Sequence, residues 1–177
     1  QAGRLNYGDD DLHWPNDWSK LASLVRQVIT EISLMDDPKI RALLAESYPA
    51  LISRYATITS LGNSGGFSGA RLWRIDSGGS SYVLRQWPES ATGYYPRLRW
   101  SHDVLREAYK NGCHFVSVPI TASKGESLIF RDTLLWQLEP WMPGTADFEK
   151  SPTPVRLGNI LRALATFHHA VRKIESH

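Results

Sequence analysis

ATITSLGNSGGFSGARLWRIDSGGSSYVLRQWP, residues 56–88, is the stretch around which the chain is organised. It reads as strand, glycine loop, strand, tight turn, strand. The first strand pattern ends at Leu61, and Gly62, Gly65, Gly66 and Gly69 come within the next eight residues. Alternation resumes with Leu72, Arg74 and Asp76 set against Arg71, Trp73 and Ile75. Ser77-Gly78-Gly79-Ser80 supplies a hairpin turn, because glycine adopts positive φ without steric cost. Tyr82, Val83 and Leu84 then lead to Arg85, and Pro88 closes the strand.

The element after the glycines limits the chemistry they can serve. A dinucleotide fingerprint passes from its glycines into a helix, whose N-terminus meets the pyrophosphate. A P-loop ends in Gly-Lys-Ser/Thr. Here Gly69-Ala70-Arg71 runs into a strand, which fits neither. A glycine loop between antiparallel strands, with a basic residue on the third strand, is how a kinase covers the phosphates of ATP. On this stretch alone, a meander with a glycine-rich hairpin and no ligand is the competing interpretation.

Composition sets the outer bounds. The chain has 177 residues, of which 42% are hydrophobic and 21% charged, as in ordinary globular proteins. A formal charge of +2 is too small to argue for nucleic acid. Cys113 is the single cysteine, so no internal disulfide can form. A cytoplasmic location is expected on that ground, with Cys113 as buried apolar filler. No 18-residue apolar run points to a membrane span.

Before the glycine stretch, residues 1–16 read as a polar arm in which Asp9, Asp10 and Asp11 form a solvated acidic patch. Leu21, Leu24, Val25, Val28, Ile29 and Ile32 recur at helical spacing and predict a helix from Trp18 to about Leu34. Asp36-Asp37-Pro38 is expected to break it and begin a second helix that buries Ile40, Leu43 and Leu44. Both helices are expected to pack on the sheet. Beyond the stretch, residues 97–111 predict a helix carrying Glu107, which stands either against Arg85 or in a surface pair with Lys110. Asp103 competes for the same role. Strands are predicted over 116–123, 128–131 and 134–138. They lead into a connector, Glu139-Pro140-Trp141-Met142-Pro143-Gly144. Prolines donate no N–H, so Glu139, Trp141 and Met142 are its backbone donors. A final helix over 154–173 places Leu157, Ile160, Leu161, Leu164, His168 and Val171 on one face. Adjacent His168 and His169 diverge by about 100° on a helix and are a poor metal pair, with His168 expected in the core.

Taken together, Ser64-Gly65-Gly66-Phe67-Ser68, the Tyr82-Val83-Leu84-Arg85 strand, the 135–144 connector and Leu164-Ala165-Thr166-Phe167-His168 resemble the aminoglycoside phosphotransferase family, the kinase-like group related to choline and homoserine kinases. The resemblance implies an α+β fold: a protein-kinase-like N-terminal lobe of about five antiparallel strands with an inserted helix. N-terminal helices would precede it, and the first helix of a second lobe would come after it. The expected divisions are 1–55 for the arm and helical extension, 56–144 for the nucleotide lobe with its hinge, and 145–177 for the start of the second lobe. ATP-dependent phosphorylation of a hydroxyl on a small molecule, with Mg²⁺, is the implied activity. Within it, Gly62, Ser64, Gly65, Gly66, Phe67, Ser68 and Gly69 would cover the phosphates. Arg85 would grip the α/β-phosphates and Glu107 would hold Arg85. Glu139, Trp141 and Met142 would meet adenine. Arg85 stands where most kinases have lysine. The family's His-Gly-Asp catalytic loop and its magnesium motif do not occur before His177. The chain is therefore expected to lack a catalytic base and metal ligands, and not to transfer phosphate alone. The final helix is expected to need cover from the missing lobe or a dimer partner. A non-catalytic nucleotide-binding or protein-interaction module, pseudokinase-like, is the alternative.

Overall fold

The structure, a computed structural model, describes residues 18–63, 68–172 and 174. The expected polar arm and its Asp9–Asp11 patch lie outside them. The chain divides into two compact units, residues 1–38 and 39–177. Helix α1, Trp18–Ser47, begins in the first unit and contains Pro38. Asp36-Asp37-Pro38 therefore does not separate two helices: proline's fixed φ is helical, and the ring removes a single N–H donor. In the first unit, Leu21 and Leu24 are exposed.

The second unit is built on one antiparallel sheet. Its strands are β1 (Thr57–Gly62), β2 (Arg71–Ser77), β3 (Ser80–Gln86), β4 (Ile129–Arg131) and β5 (Leu134–Pro140), in the spatial order β1-β2-β3-β5-β4. Helix α2, Tyr95–Lys110, is inserted between β3 and β4 after a 3-10 turn over Glu89–Tyr94, and α3, Pro154–Val171, comes after β5. This is the α+β kinase-like lobe expected from the sequence. The β2–β3 turn is the two-residue Gly78-Gly79 loop, with φ of 59° and 79°, the conformation whose twist matches the flanking strands.

Segment 116–123 does not form the strand its alternation suggests. Pro119 lacks a donor, and the segment runs beside β5 through one backbone bond, from Ile120 N–H to Leu138 O at 2.7 Å, and one side-chain bond, from Ser117 Oγ to Pro140 O at 3.2 Å. The β4–β5 turn is tighter than its residues favour. Asp132 and Thr133 occupy φ of 51° and 64°, a region where a β-branched side chain is strained. Thr133→Gly is expected to raise stability by about 0.5–1 kcal/mol, measurable as an increased urea midpoint at unchanged slope.

Alternation along β2, β3 and β5 gives the sheet two different faces. One is apolar: Trp73, Ile75, Leu84, Trp136 and Leu138 pack with Ile40, Leu43 and Leu44 from the end of α1 and with Tyr48 just after it. The Trp73 and Trp136 rings lie 5.7 Å apart. Register places Leu72 and Arg74 beside Val83 and Arg85, and Arg85 opposite Gln137, so the second face is largely polar and meets α2. The end of α1 also meets β4 and the turn before it, through Glu46 to Arg131 at 3.2 Å and to Lys124 at 3.4 Å. Cys113 is fully buried. None of the described residues of α3 is buried; His168, expected in the core, is exposed. Helix α3 meets the end of α2 near its own C-terminus, where Asn111 Nδ2 donates to Ala170 O at 3.0 Å.

Candidate functional site

The glycine loop is bracketed by two residues that require glycine. Gly62 ends β1 at φ 60° and Gly69 precedes β2 at φ 68°, both in the left-handed region. Ser64, Gly65, Gly66 and Phe67 lie outside the described residues. Ser68 Oγ accepts from Ala70 N–H at 3.4 Å. With Trp87, Pro88, Tyr94 and Leu98, Ser68 also lines a cavity of about 300 Å³.

Arg85 lies in the middle sheet strand, on the polar face. Its Nε donates to Glu139 Oε1 at 3.2 Å, and its guanidinium sits 5.4 Å from the centre of the Trp87 ring. The two Nη groups have no partner among the described residues. The pairing expected with Glu107 is not formed. Glu107 instead accepts from Asn111 Nδ2 at 3.2 Å and pairs with Lys110 at 3.6 Å. It lines a cavity of about 720 Å³ between α2 and α3, with Asp103, His169 and Arg172. Asp103, the competing candidate, pairs with Arg106 at 2.6 Å. Helical geometry explains the outcome: α2 turns His102 inward, and residues 103 and 107 share the opposite, solvent-facing side.

The connector also divides its three donors. Trp141 N–H donates to Ser81 O at 3.0 Å. Antiparallel bonding alternates, so the Val83–Glu139 pair two residues back is also bonded within the sheet. Met142 N–H is left without a partner among the described residues. The Trp141 ring is occupied too, with the Arg74 guanidinium 4.6 Å from its centre. Leu72 and Val83 are half-buried and share the face of Arg85, forming an apolar platform next to the free Nη groups. The signal for this platform lies in the sequence, since Val83 is two residues before Arg85 in one strand.

His102 and Gln137 are joined to the candidate site by a hydrogen-bond network that the sequence did not signal. Gln137 Oε1 accepts from Trp87 Nε1 at 2.7 Å and meets His102 Nε2 at 3.1 Å, while Gln137 Nε2 donates to Glu139 Oε1 at 2.6 Å. An amide oxygen only accepts, so His102 carries its proton on Nε2 and its Nδ1 accepts from Ser127 Oγ at 2.8 Å. Burial holds the His102 pKa below its ordinary 6.5; the Gln137 bond opposes this, and nearby Arg106 adds to it against Glu139 and Asp103. The folded state thus binds the second imidazole proton less readily than the unfolded chain. The stability His102 contributes is complete above about pH 6.5 and declines as the pH falls below it. Urea unfolding at pH 7 and pH 5 should show this loss, and His102→Gln should reduce the difference.

Among the described residues, no group of three or more His, Cys, Asp or Glu could hold a metal ion, and no helix is long and apolar enough to cross a membrane.

No family model and no curated protein matches the chain. Solved structures do resemble it in fold. Spectinomycin phosphotransferase, solved with ADP and spectinomycin, aligns over 75% of this chain and 37% of its own, with a TM-score of 0.56 and 16% identity. An aminoglycoside phosphotransferase from Alicyclobacillus acidocaldarius subsp. acidocaldarius DSM 446 aligns over 75% and 35%, with a TM-score of 0.50 and 18% identity. The chain thus spans little more than a third of the length of either. At these identities the likeness is one of fold: the second unit has the kinase-like architecture of aminoglycoside phosphotransferase structures.

Proposed function

We propose that the chain carries the nucleotide-binding lobe of a phosphotransferase that moves phosphate from ATP to a hydroxyl of a small molecule. The observation that carries this is the setting of Arg85: a guanidinium whose Nη groups have no hydrogen-bond partner among the described residues, beside Leu72 and Val83, on the second strand after a loop bracketed by left-handed glycines. Two NH2 groups in a fixed fork suit phosphate oxygens. The apolar pair offers a surface for a base, and Met142 N–H offers it a donor. In this reading residues 62–69 cover the phosphates. The described residues fit a nucleotide but not its magnesium, so no step is assigned to the metal. The catalytic base, metal carboxylates and most acceptor contacts would come from protein outside these 177 residues. The exposed Leu157, Ile160, Leu161 and Leu164 of α3 would pack there. The acceptor is a hydroxyl compound; fold alone does not make it an antibiotic.

Calorimetric titration of the chain with ATP tests this. Arg85→Ala should weaken binding by about 1–3 kcal/mol, the range for a lost charge-assisted contact. Unchanged affinity would remove Arg85 from the site, and no heat of binding at millimolar ATP would overturn the nucleotide reading.

A further inference from the structure

The partner expected for Arg85 on α2 is absent, and another carboxylate occupies that position. Register puts Arg85 opposite Gln137, and strand alternation sends Glu139 to the same face two residues further on. The Glu139 side chain is 14% exposed, and its Oε1 receives both Arg85 Nε and Gln137 Nε2. Gln137 is itself fixed by Trp87 and by buried His102. A carboxylate held this way cannot follow Arg85 if the guanidinium moves. It engages only Nε, so among the described residues the Nη groups carry no hydrogen bond and stay available. We propose that Glu139 is the positioning residue for Arg85, and that helix α2 reaches the pair through His102 and Gln137 while Glu107 takes no part. The anchoring acid of the nucleotide grip is thus supplied by the sheet, not by the inserted helix. This inference rests on the nucleotide reading above.

The test compares ATP with adenosine, which lacks phosphates, as ligands of the 177-residue chain. Glu139→Leu should weaken ATP binding roughly tenfold, as for a displaced charge-assisted contact, and leave adenosine unchanged. Glu139→Gln keeps a carbonyl oxygen at the accepting position and should retain most of the ATP affinity. Glu107→Gln, the rival's variant, should retain it as well. ATP binding as tight as wild type, or tighter, in Glu139→Leu would overturn the proposal, since Glu139 would then be idle or competing with phosphate. Equal losses for ATP and adenosine, or a larger loss in Glu107→Gln, would do the same.

A second measurement needs no nucleotide and no Glu139→Leu protein. The Arg85 Nε–H resonance, assigned by its loss in Arg85→Lys, should exchange slowly in the free chain. It should shift in Glu139→Gln and stay in place in Glu107→Gln; the reverse pattern would overturn the pairing. A wild-type chain that takes up no ATP removes the nucleotide reading and the positioning role with it, while the resonance still reports what holds Arg85.

Discussion

Leu138→Ala is expected to destabilise the second unit by about 3–5 kcal/mol, near the upper end for a buried leucine. Leu138 is fully buried on the apolar face, opposite fully buried Leu84 in β3. Its backbone is fixed on both sides, by β3 and by the bond from Ile120. The strand cannot shift inward to fill the space left by the lost carbons. Leu44 approaches from α1 as part of the same cluster and is fully buried too, so the wall facing the gap is already packed. The cavity then stays open, and the cost is the lost transfer energy plus the empty volume. Urea unfolding measures it directly. Leu138→Met, which conserves volume, should cost less than about 1.5 kcal/mol. A loss below that figure in Leu138→Ala would mean that the face is loosely packed.

Gln137→Leu is the second large effect, expected at about 2–4 kcal/mol from two abandoned donors. Here volume is nearly conserved and polarity is removed. Gln137 is 4% exposed and makes three hydrogen bonds, to Trp87, His102 and Glu139. Leucine leaves the His102 Nε2–H and Trp87 Nε1–H without their acceptor in a mostly buried setting. Each abandoned buried donor costs about 1–3 kcal/mol. Solvent reaching the half-buried Trp87 offsets part of this. The same urea experiment reports the total, and indole fluorescence follows the tryptophan. Gln137→Glu separates the contributions: it restores an acceptor for both donors but sets a second carboxylate beside Glu139. His102 should then titrate at higher pH than in the wild type, since an added negative neighbour favours the imidazolium. A stability change under about 1 kcal/mol in Gln137→Leu would show that water replaces these bonds at little cost.

The sheet was legible because its signals are local. Alternation marked β2 and β3, paired glycines marked their turn, and Pro88 closed β3. Segment 116–123 carries a similar pattern and misled, because alternation reports which side chains face inward, not whether a ladder forms. Asp36-Asp37-Pro38 misled in the other direction, as a proline compatible with a continuing helix. The place of Arg85 on β3 was legible from the strand pattern behind the glycine loop. Its partner was not: Glu139 shares a face with Arg85 only through the β3–β5 register, which links residues far apart in sequence. His102 sits between Ser101 and Asp103 and gave no sign of being the inward residue of α2, since one helix face can be closed by a satisfied imidazole as well as by leucine. His168 shows the converse: membership of an apolar stripe does not bury a residue unless something covers the stripe.

The two faces of the sheet give β3 a strict division of tolerance by residue parity. At position 84 the constraint is volume, set by the packed leucines and the end of α1. At position 85 it is charge and hydrogen-bond geometry, set by Glu139. Neighbouring codons in one strand therefore answer to different physical demands. A library randomised across residues 82–86 and selected only for folding should narrow first at position 84 and leave position 85 broad. Selection for ligand capture would then be what narrows position 85.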